Sequence, residues 1–171
     1  DDLTRAAGFT RGAFYSNFDS KDELCMAVLS RYAEKNLAVL SSSLDFPNDG
    51  QDVLRDRIHD IITLFSSAVG SDPTTVVAIL EITLEATRNP QLREAYQHVE
   101  AAISPALREM VEQALRDHDV TTTISVNDLI EVTRGVFDSR VLATMASGRK
   151  ADIDRMTNQL TTMVLAFIRP L

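Results

Sequence analysis

The breaks in this chain are short and the stretches between them are long, which leaves little but a helical bundle to fold into. From Ser20 onward, the turn-forming residues gather at Phe46-Pro47-Asn48-Asp49-Gly50, Gly70-Ser71-Asp72-Pro73, Asn89-Pro90 and Ser147-Gly148-Arg149-Lys150. Between them, apolar residues recur at spacings of three and four, the period of one helical face. The first helix is expected over about Ser20–Leu44, with Leu24, Val28, Tyr32, Leu37, Leu40 and Leu44 as its apolar positions. The second covers about Gln51–Val69 with Leu54, Ile58, Ile61, Ile62, Phe65 and Val69 on one stripe. Asp72 then serves as a cap and Pro73 as a first helical residue, where a missing N–H costs nothing.

The next segment, Thr74–Arg88, contains the run Val76-Val77-Ala78-Ile79-Leu80-Glu81-Ile82-Thr83-Leu84, and its β-branched residues also suit a buried strand. The Pro73 start and the absence of a second strand candidate favour a helix, apolar on most sides and placed centrally. Asn89-Pro90 repeats the cap-and-proline signal and opens a helix to about Asp119. An interruption and kink are expected at Ser104-Pro105, because proline removes a backbone donor and crowds the preceding turn. Helices over about Val126–Ala146 and Ala151–Ile168 complete an all-α chain.

The segment from Gly8 to Lys21 differs in kind from these helices. Asp1–Ala7 is helix-compatible, and Gly8 can take the positive φ that ends a helix. Thr10 is suited to cap a short helix, Arg11–Asn17, held down by Phe9, Phe14 and Phe18. Ser20 caps the long helix that follows, and Glu23 stands three residues on as the other half of a capping box. The short helix presents Arg11, Gly12, Ala13, Tyr15, Ser16 and Asn17, a small, hydrogen-bonding and cationic surface. Such a helix suits a major groove, with its N-terminal residues on base edges and its neighbours on phosphates.

This stretch closely resembles the helix-turn-helix of the TetR family of transcriptional regulators. The turn glycine, the hydroxyl cap, the basic residue, the small pair, the aromatic-Tyr step, the Phe and the Ser-Lys-x-x-Leu ending are all matched through Leu24. The resemblance implies that Thr10, Tyr15, Asn17 and Lys21 bind phosphates while Arg11, Ala13 and Ser16 face bases. Asn17 stands where the family often has His, and Ala13 where Thr is common. The family's head has three helices, so the chain is expected to begin within the second, at Asp1. Residues 1–24 then form a partial DNA-binding head, and residues 25–171 a body for effector binding and dimerisation.

Charge gives the head no help. Residues 1–24 hold three basic side chains (Arg5, Arg11, Lys21) against five acidic ones (Asp1, Asp2, Asp19, Asp22, Glu23), and the whole chain carries −8. DNA binding, where present, must be local and geometric. The 171 residues, 44% hydrophobic, suffice for one substantial core. A single cysteine, Cys25, rules out an intrachain disulfide and fits a reducing cytoplasm. No apolar run reaches membrane-spanning length. No nucleophile elbow, phosphate loop or His-Glu-x-x-His motif is present, and His59, His98 and His118 stand far apart. The chain is therefore not expected to be an enzyme or to hold a metal or cofactor.

The last two helices carry the assembly argument. Leu129, Val132, Val136 and Ala143 make one face of the first, and Ile130, Phe137, Val141 and Met145 another. Ile153, Met156, Leu160, Val164 and Phe167, with Met163 beside them, make a stripe on the last. Two faces on one helix point to one packed inward and one outward, and twofold dimers are the commonest closed assembly. The resemblance implies a homodimer built from these helices through Leu129, Val132, Val136, Ile153, Met156, Leu160, Val164 and Phe167. An intramolecular core is the alternative use of the same stripe. The resemblance also implies an effector pocket among the middle helices, for which the candidates are Phe65, Leu80, Thr83, Leu84, Thr87, Tyr96, Val99, Ile103, Leu107 and Phe137.

Together these readings describe a repressor released from a double-stranded operator by a small-molecule effector. The acidic head leaves open a helical dimeric interaction or ligand-binding protein that does not read DNA.

Overall fold

The computed structural model describes residues 12, 16–44, 54–70, 73–148 and 152–171. Six helices account for most of them: α1 (Lys21–Leu44), α2 (Leu54–Gly70), α3 (Pro73–Ala86), α4 (Pro90–Asp117), α5 (Val126–Ser147) and α6 (Ile153–Phe167). Two three-residue strands, β1 (Val120–Thr122) and β2 (Ile168–Pro170), complete the order. The fold is all-α in class, and the β-branched segment after Pro73 is helical.

The helix starts follow local chemistry. The Asn89 side-chain carbonyl accepts from Gln91 N–H and Leu92 N–H at 3.1 and 3.2 Å, with Pro90 in the first turn. Ser125 Oγ accepts from Asp128 N–H at 3.0 Å, and Asp152 Oδ1 from Arg155 N–H at 3.0 Å. Each satisfies a backbone donor that a helix N-terminus leaves without an intrahelical partner. Gly148 ends α5 with φ of 64°, a left-handed conformation that costs glycine nothing.

The core lies between α2, α3, α5 and α6. Ile62, Val76, Phe137, Val141, Met156 and Leu160 form one buried cluster, with Tyr32 and Leu80 among the half-buried residues packed on it. The Phe65 and Phe137 rings meet edge to face, 5.7 Å apart at 62°, a geometry favoured by the ring quadrupoles. The most extensive helix pairing is α2 with α6, followed by α1 with α4.

Buried hydroxyls run through the α2–α6 seam. Ser66 and Thr161 are fully buried and Thr157 nearly so. Thr161 Oγ1 donates to the Thr157 carbonyl at 2.8 Å and lies 3.4 Å from His59 Nδ1. Among the described residues, Ser66 Oγ, Thr63 Oγ1 and Thr157 Oγ1 have no hydrogen-bond partner.

Three expectations are corrected. α4 runs as one helix through Pro105, without the interruption expected at Ser104-Pro105. Both Pro105 and Ala101, whose carbonyl loses its donor, face solvent, so water can replace the missing bond. The last helix ends at Phe167, and Ile168 opens a strand. A strand pair does exist: Val120, Thr121 and Thr122 pair antiparallel with Pro170, Arg169 and Ile168. Asp119, at φ 53°, makes the turn out of α4 that allows it, and Leu171 N–H donates to Asp119 O at 3.1 Å beyond the ladder.

Candidate DNA-reading head and regulatory body

At the head, Ser16 N–H donates to Gly12 O at 3.0 Å, the helical i to i−4 bond expected near the end of a short recognition helix. Ser16 and Asn17 are exposed and joined by an Asn17 Nδ2 to Ser16 Oγ bond of 3.3 Å. Lys21 is exposed in the first turn of α1. Thr10, Arg11, Ala13 and Tyr15 lie outside the described residues. The Ser20 cap forms, with Glu23 N–H donating to Ser20 Oγ at 3.1 Å. Its reciprocal half reaches one residue further back than expected, to Asp19 N–H at 2.6 Å from Glu23 Oε2.

The start of α1 meets the body at the corner between α3 and α4. Asn89, whose carbonyl oxygen caps α4, donates through Nδ2 to Asp22 Oδ2 at 3.0 Å, 67 residues away in sequence. Arg93 braces the same corner, donating through Nε to Ala86 O at 3.1 Å and through its terminal nitrogen to Thr87 O at 2.6 Å. Asn89 N–H donates to Glu85 O at 2.9 Å. This corner carried a cap-and-proline signal, but its contact with Asp22 has no local signature.

The effector candidates divide among three environments. Phe137 is in the core, with Phe65 and Leu80 packed against it. Thr83, Tyr96, Val99, Ile103 and Leu107 are half-buried, and Thr83 Oγ1 donates to Ile79 O at 2.8 Å. Leu84 and Thr87 are exposed. Tyr96 joins a polar cluster in which Arg134 donates to Glu100 Oε1 at 3.1 Å and to the Tyr96 hydroxyl at 3.3 Å. With both ionic partners well exposed, that pair contributes at most about 1 kcal/mol. Nearby, burial pushes the Asp138 carboxyl above the usual carboxylate range, with Arg134 pulling it back. Burial likewise pushes the Tyr32 hydroxyl up, opposed by its hydrogen bond with Asn36.

Two open clefts of about 380 Å³ each lie elsewhere. One runs between α1, α2 and α4, with Arg57, Glu109, Asp117 and His118 on its walls. His118 Nδ1 is 2.9 Å from Ala114 O, so this nitrogen carries the proton. None of the ten effector candidates lines either cleft.

The second cleft lies along α5 and is walled by Val132, Gly135, Val136, Ser139, Arg140 and Ala143. Val132, Leu142 and Met145 are exposed, while Leu129, Phe137 and Val141 are buried. α5 therefore has an inward and an outward face, but drawn along a different line from the one the sequence pattern marked. On α6, Met156 and Leu160 are buried within the single chain, and Ile153 and Val164 pack against the same cluster. Phe167 is half-buried. Within the chain the α6 stripe packs chiefly against α2, and α5 carries Val132, Leu142 and Met145 among the exposed large apolar residues, beside Leu64, Leu84 and Leu171.

Among the described residues, no helix is long and apolar enough to cross a membrane and no group of three metal-ligating side chains converges. No curated protein matches the chain. Among solved structures, the crystal structure of E. coli NemR in its reduced form superposes with a TM-score of 0.58 at 18% identity. The match covers 98% of this chain and 84% of that one, a likeness in fold. A family model described as the C-terminal domain of tetracyclin repressor-like proteins matches residues 49–168, from before α2 to the start of β2. With well over half its length covered by that model, the chain belongs to the TetR family of transcriptional regulators.

Proposed function

We propose that this chain acts as a homodimeric transcriptional repressor whose grip on an operator is controlled by a small molecule bound in its helical body. The order of parts carries the reading: a segment resembling a DNA-reading helix at Gly8–Lys21 runs directly into α1, and the family-matched body follows. Residues 1–24 act as the head and residues 25–171 as the body. Thr10, Tyr15, Asn17 and Lys21 grip phosphates, and Arg11, Ala13 and Ser16 read bases. The effector enters among the half-buried residues Thr83, Tyr96, Val99, Ile103 and Leu107 and shifts the population between DNA-competent and DNA-incompetent dimers.

The dimer seam is proposed along the outer face of α5. Gly135, Ser139 and Ala143, four apart, let a second α5 approach closely, and Val132 flanks them. A Cβ added at Gly135 meets nothing within 4 Å among the described residues, which leaves room for a partner. Leu129, Met156 and Leu160 support this face from beneath.

The deciding experiment is a gel shift of the complete protein on the DNA upstream of its own gene. A salt-sensitive, sequence-selective complex is expected, and replacing Tyr15 and Lys21 together by Ala should weaken it and flatten its salt slope. No complex at low salt, from a protein that sediments as a dimer, would favour the interaction-protein reading that the acidic head supports. Mass spectrometry of the denatured protein then identifies any copurifying effector.

A further inference from the structure

We infer that Asn89 is the positioning residue that fixes the angle at which α1 leaves the body, and through it the placement of the head. This rests on the reading of the chain as a regulator whose body controls its head. Asn89 uses both ends of its amide at once. The oxygen caps α4 through Gln91 and Leu92, and the nitrogen donates to Asp22 Oδ2 at 3.0 Å in the first turn of α1. A cap needs only an acceptor, so serine, threonine and aspartate would serve equally at that task. Of the cap residues, only asparagine also offers an N–H, and here that N–H faces a carboxylate.

The corner that holds Asn89 is stiff. Its backbone N–H is bonded to Glu85 O, the α3 terminus is tied down by Arg93 at Ala86 O and Thr87 O, and Leu92 is almost fully buried beside it. Asp22, by contrast, stands one residue after the Ser20-Lys21 step that joins α1 to the head. A partly buried hydrogen bond to a charged group therefore connects a rigid point of the body to the base of the head's stalk. α3 and α4 also carry most of the proposed effector residues, so a ligand that displaces either helix moves the anchor of this bond.

The test is a reciprocal swap in the complete protein, read by hydrogen exchange at the amides of Leu24–Val28 and by affinity for the upstream DNA. Asn89→Asp keeps the cap but sets two carboxylates against each other, and Asp22→Asn removes the charged acceptor. Each is expected to speed exchange at the start of α1 by about tenfold or more, the scale of a hydrogen bond to a charged group. Each should also weaken DNA binding severalfold. The double variant Asp22→Asn/Asn89→Asp restores a donor–acceptor pair in the opposite sense, and both readouts should return toward wild type. Asn89→Ser, which keeps only the cap, should loosen α1 without rescue.

A double variant that exchanges as fast as the worse single one overturns the inference. So does full rescue of exchange alongside identical DNA affinity in all four proteins, since the bond would then be scaffold only. The exchange arm contains neither DNA nor effector, so its failure leaves the regulator reading intact. A wild-type protein that never shifts its upstream DNA instead removes that reading, and with it the positioning role.

Discussion

Leu160 separates a single-chain core from a dimer seam, because α6 is amphipathic either way. It is 2% exposed within one chain, in the cluster with Ile62, Met156 and Phe137. Leu160→Ala removes three carbons, about 2.4 kcal/mol at roughly 0.8 kcal/mol per buried methylene. The unfilled space adds to that, because neighbours relax only in part, giving a loss of about 3–4 kcal/mol. For a domain of this size the melting temperature should fall by about 10 °C. Urea unfolding followed by circular dichroism, at two protein concentrations tenfold apart, is the assay. A core residue loses the same free energy at both concentrations, and the folded variant still self-associates like wild type. Leu160→Met, nearly volume-conserving, should cost under about 1.5 kcal/mol. A loss below about 1 kcal/mol combined with weakened sedimentation as a dimer would refute the core assignment, since Leu160 would then be facing a second chain.

Further outcomes follow from the same geometry. Gly135→Leu should leave the single chain folded, gaining up to about 0.8 kcal/mol of helix propensity, yet shift sedimentation toward monomer mass; a dimer of undiminished strength would move the seam elsewhere. Ser66→Ala should stabilise by about 1–2 kcal/mol, because it deletes a buried hydroxyl that has no partner among the described residues; a lower melting temperature would mean that the hydroxyl is satisfied. Asp138, its folded-state carboxyl pushed up by burial, opposes folding above that raised value and not below the unfolded one. Asp138→Asn should therefore stabilise at pH 7, with the gain shrinking as pH falls through the carboxylate range. Melts from pH 4 to 8 check this, and a gain that grows on acidification contradicts it.

Helix boundaries were legible where capping chemistry is local. Pro73, Asn89-Pro90 and Gly148 announce themselves because a missing donor, a side-chain acceptor and a positive φ are properties of single residues. What a stripe packs against is not local. The α6 stripe reads the same whether it meets α2 or a second chain; within the single chain Met156 and Leu160 are buried. On α5, Leu129, Phe137 and Val141 are the buried set, so each sequence-derived face mixed inward with outward residues. The strand pair was hidden for another reason. Val120-Thr-Thr is β-branched, but its partner Ile168-Arg-Pro ends in a proline and is joined to it only through 45 intervening residues. The buried hydroxyls of Ser66, Thr157 and Thr161 look like ordinary helix positions in sequence. The Asn89–Asp22 bond leaves no periodic trace at all.

The short ribbon between β1 and β2 changes how force can travel through this molecule. By pairing Thr121 with Arg169 it closes α5 and α6 into a single loop, hung on the far end of α4. At about 1.5 Å per residue, the 28-residue α4 is a strut of about 42 Å. It is fastened to that loop at one end and to the foot of α1 at the other. In the proposed dimer, a tilt imposed on the loop by the second chain would reach the proposed head as a lever arm's swing, and stiffness along α4, with the solvent-facing Pro105 near its middle, would set how much of that swing survives.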